Sequence, residues 1–154
     1  FLLKEKGRFV SKEKIAETLW SDMDGEKGIS NLYLAYYYLK KQLEEFNIRM
    51  PVESQRGKMR IVLKDVYCDM IEFDDCLAKC VTIDDQTVVY AKRALELYRG
   101  MPFEDKYYFW TIEIQQFYEM AYSELLNRMG AYFEEKGDRR LASYYKEQLH
   151  LYEV

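Results

Sequence analysis

The stretch from Ser30 to Phe46 constrains the fold most, because its apolar side chains recur with the period of an α-helix. These apolar positions are Leu32, Tyr36, Leu39 and Leu43. Spacings of four, three and four residues place them on one helical face. The sequence therefore predicts one amphipathic helix that buries this stripe and leaves the other tyrosines and a lysine pair outside.

The segments before this helix predict a helix-turn-helix. Phe1–Lys6 has the pattern of the last turns of a helix, ended by a glycine. Ser11 is a good N-cap for a second helix, Lys12–Trp20. The polar stretch Asp22–Ser30 contains two glycines and predicts a loop, so its last residue or Asn31 would begin the long helix.

After the long helix the pattern changes to two short runs around a basic turn. We predict strands at Val52–Gln55 and Met59–Leu63, joined by Arg56-Gly57-Lys58. Helix, loop, helix and hairpin is the order of a winged helix-turn-helix. In that arrangement the second helix enters the major groove of DNA and the hairpin flanks it.

From Asp65 onward the sequence predicts only helices. We expect them over 69–81, from Asp84 or Asp85 to before Gly100, over 109–136 and over 139–152. Six residues near the end of the chain occupy the positions of a tetratricopeptide repeat: Gly130, Phe133, Gly137, Asp138, Ala142 and Leu149. One repeat cannot bury its own apolar face, so the preceding helices are expected to pack against it.

Charge separates the two halves of the chain. Residues 1–64 carry 13 Lys and Arg against 9 Asp and Glu, and residues 65–154 carry 10 against 18, which together make the 23 and 27 of the whole sequence. A basic half followed by an acidic half predicts that only the first half meets a polyanion. No apolar run approaches the roughly eighteen residues that cross a bilayer. The chain does not begin with Met, so we expect a piece of a longer protein.

The reactive side chains show no arrangement typical of an enzyme or a metal centre. Cys76 and Cys80 stand at helical spacing, but three cysteines do not predict a disulfide framework, and the only histidine, His150, is distant in sequence. We expect ordinary buried or free thiols in a reducing cytoplasm, and His150 at the surface. No phosphate-binding glycine loop or nucleophile motif is present. The sequence therefore predicts no catalytic residue, no metal and no cofactor.

In the order and spacing of its motifs, nearly the whole chain resembles the bacterial SARP-type regulators. In these regulators an OmpR/PhoB-like winged helix is followed by a helical bacterial transcriptional activation domain. The segments that carry the resemblance are VSKEKIAETLW for the second helix, SNLYLAYYYLKKQL for the recognition helix, Met59-Arg60-Ile61 for the end of the wing, 68–73 for the junction, and 97–100 and 108–110 for landmarks of the activation domain.

The resemblance implies a mainly α protein with two domains. A winged-helix DNA-binding domain with a small β-hairpin wing would occupy residues 1–65, without its N-terminal part. A tetratricopeptide-like activation domain would occupy residues 66–154, without its C-terminal part. The implied activity is cytoplasmic transcription regulation, in which the protein binds repeated promoter sites in double-stranded DNA. Its partners would be RNA polymerase, another regulatory protein or a second copy of itself, with no membrane.

The resemblance also names the residues that would touch DNA. This candidate set is Ser30, Asn31, Tyr33, Tyr37, Tyr38, Lys40, Lys41, Arg56 and Lys58. Tyr38 and Lys40 would read base edges, Ser30 and Tyr37 would contact phosphates, and the two wing residues would lie near the minor groove. The chemistry fits, because lysine neutralises phosphate and tyrosine hydroxyls donate to phosphate oxygens.

An alternative use of the same shape is protein interaction. Tyr37 and Tyr38 equally fit a helix or dimer interface, and the winged-helix fold would then no longer bind DNA. The DNA hypothesis expects the four cations of the candidate set to share one exposed face without carboxylates. Cover of that face by Glu44 or Glu45 would favour the alternative.

The aromatic run Tyr107–Trp110 has two interpretations as well. It predicts a hydrophobic plug that joins the repeat to the neighbouring helices. A small-molecule sensor would instead require an apolar pocket beside Trp110.

Overall fold

The computed structural model describes residues 1–104 and 108–152, and over these residues the protein is mainly helical, as predicted. Its helices are α1 (Lys12–Leu19), α2 (Gly25–Glu45), α3 (Asp69–Lys79), α4 (Val88–Leu97), α5 (Ile112–Glu135) and α6 (Arg139–Tyr152). Its strands are β1 (Val10–Ser11), β2 (Val52–Gln55) and β3 (Lys58–Ile61), which form one antiparallel sheet in the order β1-β3-β2. The chain divides into two compact units, Phe1–Cys68 and Asp69–Val154.

Side-chain caps decide where the two helices of the first unit begin. Ser11 Oγ accepts a hydrogen bond from Lys14 N–H at 3.2 Å, so the N-cap predicted there is confirmed. Asp24 Oδ1 accepts from Lys27 N–H at 3.0 Å and caps α2. Each cap satisfies a donor that the first helical turn leaves without a partner. The predicted start of α2 at Ser30 or Asn31 is therefore wrong, and much of the predicted loop is helical.

The glycine that indicated a loop lies instead at a helix crossing. A Cβ at Gly28 would stand 3.3 Å from the Cβ of Ala16, and both residues are buried. Glycine costs helical stability, but here it permits α1 and α2 to approach more closely than a larger side chain would.

The hairpin between β2 and β3 closes through two residues with positive φ. Arg56 has φ +47° and Gly57 has φ +76°. Positive φ at both central positions is the geometry that two-residue hairpin loops favour, because its twist matches that of the strands. The register follows, with Gln55 opposite Lys58. The predicted second strand, 59–63, is displaced to Lys58–Ile61.

Strand β1 fixes this hairpin to the helix pair. Val10 pairs with Met59 and Ser11 pairs with Lys58, so the strand leads directly into α1. The backbone N–H of Lys12 then donates to the carbonyl oxygen of Gly57 at 2.9 Å. The tip of the hairpin is therefore held at the first residue of α1.

The core of the first unit is small, and it covers only part of the predicted apolar stripe. Its buried members are Val10, Ile15, Leu32 and Met59, with Phe1, Leu2, Leu19, Trp20, Tyr36 and Val52 packed against them. Leu39 is 46% exposed, so its prediction as a core residue is wrong. Helix α2 is about 31 Å long and α1 only about 12 Å, which leaves the second half of α2 beyond the reach of α1. Phe1–Lys6 forms turns rather than the predicted helix end.

The second unit consists of two antiparallel helix pairs. In the first pair, Arg93 of α4 binds Glu72 of α3 at 2.8 Å. Between the two pairs, the ring centroids of Phe73 of α3 and Tyr118 of α5 lie 5.4 Å apart. In the second pair, Phe133 of α5 stacks on Tyr145 of α6 at 5.6 Å between ring centroids. The core is shared by all four helices, and Leu125 and Met129 are completely buried in it.

Two contacts that follow the same order along both helices show that α5 runs in the same direction as α3. The hydroxyl of Tyr118, in the first third of α5, donates to Asp74 Oδ2 in the middle of α3 at 2.9 Å. At the end of α3, Arg128 Nη2 donates to the carbonyl oxygens of Cys80 and of Val81, the latter at 2.7 Å. These carbonyls follow the last turn of α3, where no helical N–H reaches them, so Arg128 completes that helix.

Small residues allow α5 and α6 to approach each other. A Cβ at Gly130 would stand 3.3 Å from Lys146 Cγ, and Ala142 is buried beside it. Gly137 has φ +76° at the turn, and Asp138 Oδ1 accepts from Leu141 N–H at 3.0 Å. The predicted break between the last two helices is confirmed. In the part of the chain that the structure describes, no helix has both the length and the apolar character that crossing a membrane requires.

Candidate nucleic-acid interface

The outward face of α2 carries most of the candidate set. Eight of its nine residues are exposed, and only Asn31 is half-buried. Between Lys27 and Leu43 the sequence contains no Asp or Glu. The helix therefore presents tyrosines and lysines without a carboxylate over most of its length, which suits an anionic ligand.

Tyr33 is held against the first helix by a lysine. Lys12 Nζ donates to the Tyr33 hydroxyl at 3.0 Å and lies 4.7 Å from the centroid of its ring. Because Lys12 also binds the carbonyl of Gly57 through its backbone, Tyr33 is linked to the hairpin tip. Three elements, α1, α2 and the hairpin, meet at this point.

The two basic residues of the hairpin tip are both exposed. Arg56 lies in the turn itself, and Lys58 begins β3 opposite Ser11. Residues directly opposite each other in an antiparallel pair point to the same face of the sheet. Lys58 is therefore on the same face as the Ser11 hydroxyl that caps α1.

Ser30 and Asn31 make internal contacts. Ser30 Oγ donates to the carbonyl of Glu26 at 2.9 Å, one helical turn back. Asn31 Nδ2 donates to the sulfur of Met23 at 2.9 Å, which ties α2 to the loop that precedes it. Both side chains contribute to the local structure of the helix start, and Asn31 is the less accessible of the two.

The remaining tyrosines are spread around the helix. With 3.6 residues per turn, Tyr38 lies about 140° from Tyr33, and Tyr37 lies between them. The rings of Tyr37 and Tyr38 touch edge to face at 5.7 Å. Their exposed fractions are 57% and 56%. The structure therefore brings Tyr33 to the hairpin side of α2 and leaves Tyr38 on another side.

The lysine pair at the far end of α2 is exposed but not free of carboxylates. Lys40 Nζ lies 3.7 Å from Glu44 Oε1, and both side chains are more than half exposed. The expectation of a carboxylate-free face is wrong at this position, because one helical turn places Glu44 beside Lys40. Such an exposed pair contributes little stability, so Lys40 can exchange Glu44 for another anion.

The aromatic run of the second unit is described only in part, because Tyr107 lies outside the described residues. Trp110 is half-buried against the core and stacks with Tyr108 at 5.8 Å between centroids. Phe103 approaches the same indole at 5.5 Å. Trp110 therefore packs as the plug hypothesis expects, but Tyr108 and Phe109 are 49% and 89% exposed and do not.

Two of the three thiols are unsuited to chemistry at neutral pH. Cys76 and Cys80 are buried, and this burial raises the pKa of both thiols, which keeps them protonated. Within residues 1–104 and 108–152, no group of three or more His, Cys, Asp or Glu side chains is arranged to hold a metal ion. His150 is exposed, as predicted.

No family model, curated protein or solved structure matches this chain. Its function is therefore inferred from its own residues.

One residue of the interface, Lys12, is absent from the sequence-based set. Its contact with Tyr33 spans 21 residues of sequence, so no periodicity within one helix reveals it. The only available signal is its place directly after the N-cap Ser11, at the point where the hairpin returns to the helix pair.

Proposed function

We propose that this protein is a cytoplasmic bacterial transcription regulator, similar to the SARP-type regulators, that binds double-stranded DNA through α2 and the hairpin. The helices of the second unit would contact RNA polymerase, another regulatory protein or a second copy of the chain. The proposal assigns no catalytic step and no cofactor.

The observation that carries this proposal is the attachment of a basic hairpin tip to the helix pair. The hydrogen bond of 2.9 Å from Lys12 N–H to Gly57 O holds Arg56 and Lys58 beside the start of α1, while Tyr33 of α2 binds the Lys12 side chain. A DNA-binding helix flanked by a basic hairpin needs such an anchor, because both elements must meet one duplex at the same time.

The dimensions of α2 support a groove-binding role. A helix with its side chains is about 10–12 Å wide, close to the width of about 12 Å of the major groove. The candidate residues from Ser30 to Lys41 extend over about 16 Å of this helix. Several turns of α2 therefore suffice to follow one groove, with Lys40 and Lys41 available to neutralise phosphates.

The arrangement of the second unit supports a tetratricopeptide-like assignment. Its helices form two antiparallel pairs, and the first helix of each pair, α3 or α5, runs in the same direction. Stacked repeats have this arrangement, since each repeat packs its helices on those of its neighbour. Gly130 and Ala142 stand at the close approach of α5 and α6, where small residues are required.

Protein interaction is the second candidate, and the exposed apolar side chains of α2 favour it. Leu34, Tyr37 and Tyr38 are 51%, 57% and 56% exposed, and they lie within about 100° of one another around the helix. Contiguous apolar surface of this kind often marks a protein contact. The ion pair between Lys40 and Glu44 also reduces the positive character of the helix end.

Binding of the whole chain to a duplex at several salt concentrations separates these candidates. We expect the logarithm of the binding constant to fall linearly with the logarithm of salt concentration. The variant Lys40→Ala with Lys41→Ala should reduce both the affinity and the magnitude of this slope on unrelated sequences.

A matched control is Arg139→Ala with Arg140→Ala, which removes two adjacent exposed cations from α6. It changes the net charge equally, so it should leave binding almost unchanged. Binding that is absent, or that responds equally to both pairs, would favour the protein-interaction candidate.

A further inference from the structure

Lys12 is a half-buried cation without an opposite charge. Its ammonium donates to Tyr33 and lies over the Tyr33 ring, and no carboxylate of the described residues lies within ion-pair distance. The adjacent Glu13 lines a different groove, together with Glu17 and Trp20. An ammonium whose hydrogen-bond partner is a neutral phenol keeps its full charge, so it remains available to an anion.

The hydrogen bond between Lys12 and Tyr33 leaves a donor available on each of the two groups. An ammonium carries three N–H donors and cannot accept, so the Tyr33 oxygen must be the acceptor. The Tyr33 O–H is then left to donate, and no acceptor for it exists among the described residues. The Lys12 ammonium and the Tyr33 hydroxyl together therefore match a ligand group that only accepts, such as a phosphate oxygen.

The position of this pair is fixed by the backbone. The N–H of Lys12 binds Gly57 O at 2.9 Å, and Ser11 is registered opposite Lys58. Opposite residues of an antiparallel pair have Cβ atoms about 4.5–5.5 Å apart, which brings the Lys58 side chain close to the start of α1. The site thus has a second cation nearby and lies between α2 and the hairpin.

We propose that Lys12 Nζ and Tyr33 Oη form a binding site for one phosphodiester group of a nucleic-acid backbone, with Lys58 as the neighbouring cation. This site rests on the proposed function, because it assumes that α2 and the hairpin approach a duplex. It adds to that function a fixed point at which the backbone is held while α2 lies in the groove. Tyr33 acts here through its hydroxyl and not by reading a base.

Salt titration of duplex binding by the whole chain tests this site. The logarithm of the binding constant falls linearly with the logarithm of the salt concentration, and each phosphate contact contributes about 0.9 to the magnitude of this slope. Loss of one contact therefore lowers the affinity about eightfold at 0.1 M salt. We expect this change for Lys12→Ala on a random-sequence duplex, and retention of the slope for Lys12→Arg. Tyr33→Phe keeps the ring and all charges, so it should weaken binding by about threefold to tenfold without changing the slope.

Two controls make the result specific. Lys14→Ala removes an exposed lysine two residues further along α1, on another side of the helix, and should leave the slope unchanged. Tyr33→Phe should cost less in the Lys12→Ala background than in the wild type, because both groups hold the same phosphate. Circular dichroism of each variant establishes that it is folded.

The outcomes separate this site from the proposed function. A wild type without salt-dependent binding would refute both. A wild type that binds while Lys12→Ala has an unchanged slope would overturn the site alone. Tight binding of inorganic phosphate, with duplex binding unaffected by Lys12→Ala, would also overturn it, since the ligand would then be a free anion.

Discussion

Gly28 of α2 lies against Ala16 of α1, with 3.3 Å between the Ala16 Cβ and the position that a Cβ would occupy on Gly28. This contact sets the distance between the two helices. It therefore also sets where Tyr33, one and a half turns further along α2, meets Lys12.

Enlarging Gly28 should destabilise the first unit. Gly28→Leu would force α1 and α2 apart, and overpacking of this kind costs about 1–3 kcal/mol. The matched control is Gly25→Leu, because nothing lies within 4 Å of a Cβ at Gly25. Urea unfolding measures both variants, and an equal effect of the two would contradict a packed crossing at Gly28.

Replacing Arg56 by asparagine should separate the shape of the hairpin from its charge. Arg56 has φ +47°, a conformation that asparagine adopts more readily than most residues. Arg56→Asn should therefore keep or improve stability while it reduces the salt slope of DNA binding by about 0.9. Thermal unfolding and salt titration check the two effects. Unchanged DNA binding would remove Arg56 from the interface.

Removal of Glu44 should strengthen DNA binding. Glu44→Gln frees Lys40 from its partner at 3.7 Å and removes a negative charge from the C-terminal end of α2. The exposed pair contributes little, so the free energy of unfolding should change by less than about 0.5 kcal/mol. Fluorescence anisotropy with a labelled duplex measures the affinity. The control is Glu96→Gln, which removes an exposed carboxylate of the second unit. An equal gain in DNA affinity in this control would show that only the net charge of the protein matters.

The second unit should lose stability at high pH through Tyr98. Burial, followed by the hydrogen bond with Tyr152, raises the pKa of Tyr98 above its ordinary value of 10.0. As the pH rises past 10.0, the unfolded chain ionises this phenol first, so the stability that is present below that pH is progressively lost. Urea unfolding at pH 8 and near pH 11 should show a smaller alkaline loss for Tyr98→Phe than for the wild type.

The control for this pH dependence is Tyr144→Phe, at a ring that is 51% exposed. Its alkaline loss should equal that of the wild type. The same loss in the wild type and in Tyr98→Phe would show that Tyr98 does not control the alkaline limit.

Local signals in the sequence predict some helix boundaries correctly, although the glycine after Lys6 does not end a helix as predicted. The N-cap at Ser11 and the break at Gly137 both stand where the sequence predicts them. These features depend on a few neighbouring residues, and their chemistry can be recognised without the rest of the fold.

Features that depend on contacts distant in sequence were missed. Gly28 predicts a loop by its own propensity, but packing against Ala16 places it inside a helix. Leu39 has the correct period for the core, but α1 is too short to cover it. Lys12 meets Tyr33 only because the helix pair folds back on itself, so this part of the candidate interface required the structure.

A nuclear magnetic resonance titration of the whole chain with a DNA duplex tests DNA binding by α2 and the hairpin most directly. We expect the backbone amides of α2 from Ser30 to Lys41, together with those of Lys12 and of Gly57 at the hairpin tip, to shift first and at low salt. Amides of α5 and α6 should move little. Shifts confined to the second unit, or no shifts at low salt, would contradict DNA binding by α2 and the hairpin.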